Sequence, residues 1–198
     1  KDPITSGLSI EAFLPGSYWS ESGAELCLLG AGGSSLALTA YYMETIPAEY
    51  WPSKIIVTNR SEKRLTHMKE LHQEINPGIA MEYHLCPNPE QNDAVVNRLK
   101  PGSMVVNATG LGKDAPGSPL TDAAQFPENG YAWEFNYRGE RDFMHQALAQ
   151  AEERKVRVED GWVYFIYGWA TVVCQVLHHP MSDTLIEKLS AVGEKIRG

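Results

Sequence analysis

The stretch that most constrains this chain runs from Glu25 to Ser35, ELCLLGAGGSS. A short apolar run ends in glycine, turns through Gly30, Ala31, Gly32 and Gly33, and leads through Ser34 and Ser35 into a helix-length segment ending near Thr45. A strand that stops at glycine and passes directly into a helix is the opening unit of a parallel α/β sheet. A turn without side chains lets a diphosphate approach the backbone, and the helix N-terminus adds N–H groups and a positive dipole. Gly30, Ala31, Gly32, Gly33, Ser34 and Ser35 are therefore candidate cofactor-binding residues, with Ser35 standing where the usual fingerprint has its third glycine.

The rest of the chain repeats this alternation. Strands are expected at Glu25–Gly30, Lys54–Thr58, Ala80–Cys86, Met104–Val106, Tyr131–Phe135 and Val156–Glu159, with helical runs at Glu62–Ile75 and Arg141–Arg154. Pro87–Asn92 and Gly110–Pro119 read as loops from their Pro, Gly and Asn content. After Gly161 an aromatic and apolar run passes Pro180 into a Leu/Ile-periodic segment for which Ser182 is the expected N-cap, giving two closing helices. The expected fold is α/β, a doubly wound parallel sheet of about six strands with C-terminal helices. A single dinucleotide-binding domain over 1–198 is expected, with 1–24 as a leading segment and 161–198 as the closing helices.

Composition narrows the function classes. A net charge of −8 argues against a broad nucleic-acid surface, which needs clustered Lys and Arg. No apolar run approaches a membrane span. Cys27, Cys86 and Cys174 are too scattered for a disulfide framework or a CxxC metal site and read as buried free thiols. The start, KDPITSG, has neither an initiator Met nor the basic-then-apolar order of a signal peptide, so a cytoplasmic location is expected.

Two further motifs carry chemistry. At the end of the second strand, Asn59, Arg60, Ser61 and Arg64 stand where an NAD-preferring domain places an acid for the ribose 2′-hydroxyl. Guanidinium groups there suit a 2′-phosphate, and basic residues at a helix start call for an anion. The expected cofactor is NADP. After the fourth strand, Asn107, Ala108 and Thr109 fall where an open parallel sheet binds its ligand, and their small side chains admit a nicotinamide ribose.

Together GAGGSS, NRSEKR, NATG and Asp160-Gly161 resemble the nucleotide-binding, C-terminal domain of the shikimate/quinate dehydrogenase family over roughly Thr5 to the C-terminus. NRSEKR is similar to that family's Asn-Arg-Thr-x-x-Arg pattern, which contacts the adenosine 2′-phosphate. The resemblance implies a Rossmann-like oxidoreductase that passes hydride from NADPH to a ring ketone, with Gly161 among the cofactor residues. It also implies an N-terminal substrate domain bearing a catalytic Lys, to which nothing in this chain corresponds. With Thr5 aligned to the family's Thr before its catalytic Asp, Ser6 occupies the Asp position, leaving Thr5 and Ser6 as catalytic candidates. Where the family has Asp-Gly-x-Gly-Met and a substrate-binding Gln, this chain has Asp160-Gly161-Trp162-Val163-Tyr164 and Gly168; its Tyr-x-Pro reads Asn136-Tyr137-Arg138. A small hydroxy or keto substrate other than shikimate is expected. The alternatives are a module that senses NADP(H) without hydride transfer, and a methylene-tetrahydrofolate dehydrogenase-like or glutamyl-tRNA-reductase-like domain.

The remaining polar residues have structural readings. His178 and His179 end a helix, where they complement its dipole, and no metal site is expected. His67 and His72 read as solvated residues on a polar helix face, and Glu134 as a structural hydrogen-bond acceptor in its strand. Trp162, Tyr164, Phe165, Tyr167 and Trp169 crowd both sides of one helix, which implies a neighbouring domain or partner subunit, a homodimer included.

Overall fold

Alternate residues of each central strand feed two separate cores. Leu26 and Leu28 of β1 (Leu26–Leu29) join Val57, Val106 and Trp133 on one face, while Cys27 and Leu29 join Ile56, Val105 and Ala132 on the other. Strands buried on both faces need covering helices on both, and parallel pairing supplies them through its crossovers. The structure, a computed structural model, describes residues 2–75 and 78–195. Lys1 and residues 196–198 of the expected 1–198 unit lie outside the described residues.

Besides β1, the strands are β2 (Ile55–Asn59), β3 (Met81–Leu85), β4 (Met104–Asn107), β5 (Tyr131–Glu134) and β6 (Arg157–Glu159). All pairings are parallel, in the order β3-β2-β1-β4-β5-β6. The order reverses beside β1, which opens a crevice at the carboxyl edge. The doubly wound sheet of about six strands is thus observed. Cys27 in β1, Cys86 just after β3 and Cys174 in the closing helical region are free and buried.

Three segments differ from the sequence expectation. The leading segment, for which no element was expected, holds two helices within residues 2–24, α1 (Asp2–Glu11) and α2 (Tyr18–Ser22). The first of these packs against both α3 (Gly33–Thr45) and the closing helix α8 (Trp162–Val176) through Thr5, Ser6, Gly7, Ser9 and Ile10. Small polar residues bury this face, so it carries no hydrophobic period. In place of the expected Pro87–Asn92 loop, α5 (Pro89–Val96) starts at Pro89. Pro is favoured at the first helical position, and Gln91 Oε1 accepts from the Asn88 backbone N–H at 3.0 Å. The run Arg141–Arg154 is two helices, α6 (Asp142–Ala149) and α7 (Ala151–Arg154), separated at Gln150, whose side chain accepts from Phe126 N and donates to Ala124 O.

The closing helices, α8 and α9 (Asp183–Gly193), are as expected, and Ser182 Oγ accepts from Leu185 N as an N-cap. Trp169 and Val176 of α8 and its C-cap Leu177 are exposed. Among the described residues no helix is long and apolar enough to cross a membrane.

His67 is exposed as expected, but His72 is not solvated. On α4 (Glu62–Ile75) it continues the buried stripe of Leu65 and Met68 at helical spacing, and its ring bridges two elements: Nε2 is 2.7 Å from Thr39 Oγ1 of α3, and Nδ1 is 2.7 Å from Tyr83 Oη of β3. Burial lowers its pKa from 6.5 to about 4. Protonation is therefore easier in the unfolded chain, so the stability this group contributes is present above pH 6.5 and is lost as pH falls toward 4. Urea denaturation of wild type and His72→Gln between about pH 4 and 7 checks this. Wild type is expected to lose stability more steeply on acidification than the mutant.

Candidate functional site

The crevice is built from the ends of β1, β2 and β4. Gly30 leaves β1 at φ +112°, with its N–H donating to Thr58 O, and a β-carbon there would lie 2.9 Å from Ala108 O. Only glycine combines that dihedral with so close a backbone approach. A β-carbon on Gly32 or Gly33 would meet nothing within 4 Å. Those two glycines face open space in front of the first turn of α3, whose leading N–H groups have no partners within the helix. Ser35 is fully buried and donates to Gly30 O at 2.5 Å, so its hydroxyl stiffens the turn from behind.

A cleft of about 490 Å³ connects the glycine turn to Asn59, Arg60 and Arg64 on the β2 side and to Ala108 and Thr109 on the β4 side. Arg60 and Arg64 are exposed, and among the described residues neither forms an ion pair. Asn59 Nδ2 donates to Ser61 O, which holds the strand end at the start of α4. Ser61 itself does not line the cleft.

A second cleft of about 580 Å³ lies on the other side of Ala108, Thr109 and Gly110, which line both. Its walls are Tyr137 after β5 and Tyr164, Phe165, Gly168 and Trp169 of α8. Tyr137 and Phe165 stack at 4.1 Å between centroids, and Phe135 and Tyr164 at 4.7 Å. Lys113 lines it too, 3.4 Å from Asp114 and 5.9 Å from the Tyr137 ring centroid. The sequence reading did not single out Lys113 or Asp114, because a loop carries no period that says which way it faces.

The shared floor is held by a buried network. Asn107 is fully buried: its Nδ2 donates to both carboxylate oxygens of Glu134, and its Oδ1 accepts from Thr109 N and Oγ1. Asn136 N donates to Glu134, while Asn136 Nδ2 donates to Thr109 O and Leu111 O. The structural role expected of Glu134 is observed, and the side chain of Asn107 shapes the loop from beneath. Gly161 is likewise a packing position, since a β-carbon there would lie 2.3 Å from Phe135 O. Thr5 and Ser6 are buried under α8, with Thr5 Oγ1 3.3 Å from Thr171 Oγ1 and Ser6 Oγ donating to Tyr164 at 3.5 Å; Thr5 reaches the wall of the second cleft and Ser6 does not. Among the described residues no group of three or more His, Cys, Asp or Glu side chains could hold a metal.

Burial raises the Glu134 pKa to about 7, against the opposing pull of the Asn136 and Asn107 hydrogen bonds. A carboxyl group raised above its ordinary value of 4.5 contributes stability that is present below 4.5 and is lost as pH rises through 7. Denaturant titrations of wild type and Glu134→Gln across about pH 4.5–8 are expected to diverge in slope, the mutant lacking this alkaline loss.

A scan against protein-family models and a search of curated proteins return no match. Solved structures do match. A chorismate mutase/shikimate 5-dehydrogenase fusion protein from Clostridium acetobutylicum aligns at 16% identity over 99% of this chain and 62% of its own, with a TM-score of 0.64. Shikimate 5-dehydrogenase from Listeria monocytogenes, in complex with shikimate and NAD, aligns at 18% identity over 95% of this chain and 61% of its own, TM-score 0.63. Shikimate 5-dehydrogenase from Thermus thermophilus, in complex with NADP(H) and shikimate, aligns at 20% over 96% and 61%, TM-score 0.62. The chain therefore spans about three-fifths of the length of these structures. What it shares with the shikimate dehydrogenases at this identity is their fold, an α/β domain on an all-parallel six-stranded sheet.

Proposed function

We propose that this chain is the NADP(H)-binding part of an oxidoreductase acting on a small hydroxy or keto substrate other than shikimate. The observation that carries the reading is the pair of guanidinium groups, Arg60 and Arg64, lining the cleft beyond β2 with no acidic residue at the strand end. The Listeria and Thermus complexes contain NAD and NADP(H) respectively, so this fold accepts either cofactor and the choice rests on local residues.

The cleft fits such a group. The open side of Gly32 and Gly33, faced by the first turn of α3, suits a diphosphate. Arg60 and Arg64, with Asn59, would hold the 2′-phosphate, Ser61 serving only to fix Asn59 through its carbonyl, and Ala108 and Thr109 would border the nicotinamide ribose. The cofactor, when bound, supplies a hydride. This chain's aromatic walls would give up their water to a substrate that fills the second cleft, and the Asn107–Glu134 network holds its floor. The exposed surface formed by Trp169 and Val176 of α8 and its C-cap Leu177 is the one this reading assigns to a further domain or a second subunit. A cytoplasmic location accompanies the reading. The substrate inference rests on the positions where the resemblance breaks, since Ser6 is buried and Gly168 brings no side chain to the cleft. Those two positions also favour a second reading, a module that binds NADP(H) without transferring hydride.

One double variant, compared with wild type by calorimetry, tests the cofactor assignment. A hydrogen bond to a charged group contributes ~1.5–3 kcal/mol and each 1.4 kcal/mol is about tenfold, so the two arginines are expected to favour NADPH over NADH by roughly a hundredfold or more. Arg60→Ala with Arg64→Ala should erase most of that preference and leave NADH affinity little changed. Equal wild-type affinities for the two cofactors would overturn the assignment.

Gly32→Val tests the cradle. Its side chain points into open space, so circular dichroism should show an intact fold, while NADPH fluorescence should show binding lost.

A further inference from the structure

From Asp2 to Ser53 the chain contains no Lys, Arg or His, yet it carries Asp2, Glu11, Glu21, Glu25, Glu44 and Glu49. Part of this stretch encloses a third cavity, of about 390 Å³, lined by Glu11, Leu14, Trp19, Tyr41, Tyr42 and Tyr50 among others. Because α3 runs back from the glycine turn, its C-terminal residues Tyr41 and Tyr42 bring this cavity to the opposite edge of the sheet from the cofactor cleft.

The cavity is built for positive charge. Among the described residues, Glu11 is the one charged side chain lining it. Tyr41 Oη donates a short hydrogen bond to Glu11 Oε1, which holds the carboxylate at the wall. Helices α1 and α3 both end here, and neither has a basic residue in its last turn; the donor at the α3 end, Trp51 Nε1 to Tyr42 O and Ile46 O, is neutral, so it satisfies carbonyls without bringing a positive charge. The remaining surface is mainly apolar, four aromatic rings set among aliphatic and proline side chains. Trp19, Tyr41 and Tyr42 are buried, with Trp19 Nε1 donating to Tyr42 Oη at 2.7 Å, and Tyr50 stands exposed at the rim. Burial, together with the Glu11 hydrogen bond, raises the Tyr41 phenol pKa well above its ordinary value, so the ring remains neutral.

These features exclude the other ligand classes. An anion would meet Glu11 and two helix C-termini. A metal ion needs several hard oxygen ligands, and one carboxylate in a space this large does not supply them. A neutral apolar molecule would leave the negative potential unanswered. A cation carrying alkyl groups satisfies all three elements, because ring faces attract it while its alkyl surface stays out of water. We propose that this cavity binds a small alkylammonium ion, its charged head against Glu11 and its alkyl groups against Trp19, Tyr41, Tyr42 and Tyr50.

Choline and its uncharged isostere 3,3-dimethylbutan-1-ol are the probes, titrated into the full chain by calorimetry and followed by NMR. Choline is expected to bind at least about tenfold more tightly than the isostere, a difference of ~1.4 kcal/mol. Glu11→Gln should weaken choline about tenfold and leave the isostere unaffected, and Tyr50→Ala, on the exposed rim, should weaken choline with no change in circular dichroism. Any of three results overturns the proposal: no choline binding up to roughly 50 mM, equal affinity for the isostere, or choline affinity unchanged in folded Glu11→Gln.

Discussion

The carbonyl of Ala108 lies so close to the α-carbon of Gly30 that a β-carbon would come within 2.9 Å of its oxygen. Two chain segments that leave neighbouring strands, β1 and β4, are held there at backbone contact, and the carboxyl edge of the sheet is organised around that point. On one side the crevice opens toward β2 and the arginines, and on the other toward β5 and the aromatic face of α8. The approach needs support from below, because the loop after β4 has no regular structure of its own. Asn107 and Asn136 provide it by using a buried carboxylate, Glu134, as a common acceptor. A buried carboxyl group without such partners would cost several kcal/mol; with them it becomes the tie between two strand ends.

Much of the architecture was legible because its causes are local. The glycine turn, the continuous apolar strands and the Ser182 cap each follow from a few adjacent residues. Helix α1 was not legible, since Thr5, Ser6, Gly7 and Ser9 bury a face that has no apolar period until α3 and α8 are in place. The start of α5 was ambiguous in kind: Asn88-Pro89 serves equally as a turn and as a cap followed by a first helical residue, and Gln91 three positions on decides it. His72 was hidden by its neighbours. Its polar flanks suggest a solvated face, but its spacing from Leu65 and Met68 places it on the buried one.

The site shows a different limit. The motifs marked Ser35 and Asn107, and the family resemblance Gly161, alongside Gly32, Arg60 and Thr109, yet the structure separates them. The first three hold the turn, the floor and the helix start, while the second three face open clefts. A motif records that a position is constrained without saying whether the constraint comes from a ligand or from packing. Identity of 16–20% with solved structures is consistent with this, because packing at the carboxyl edge can persist while the lining changes.

The tryptophans divide by environment. Trp19, Trp133 and Trp162 are buried and Trp51 is half-buried, whereas Trp169 is 58% exposed at the mouth of the second cleft with Phe165 beside it. An indole in water emits at longer wavelength than one in an apolar core, so the red edge of the protein's emission belongs mainly to Trp169. A molecule entering the second cleft would strip water from that ring and shift this edge, while the buried indoles would hardly register it. The chain thus carries an intrinsic optical gauge of cleft occupancy that requires neither a label nor a known substrate.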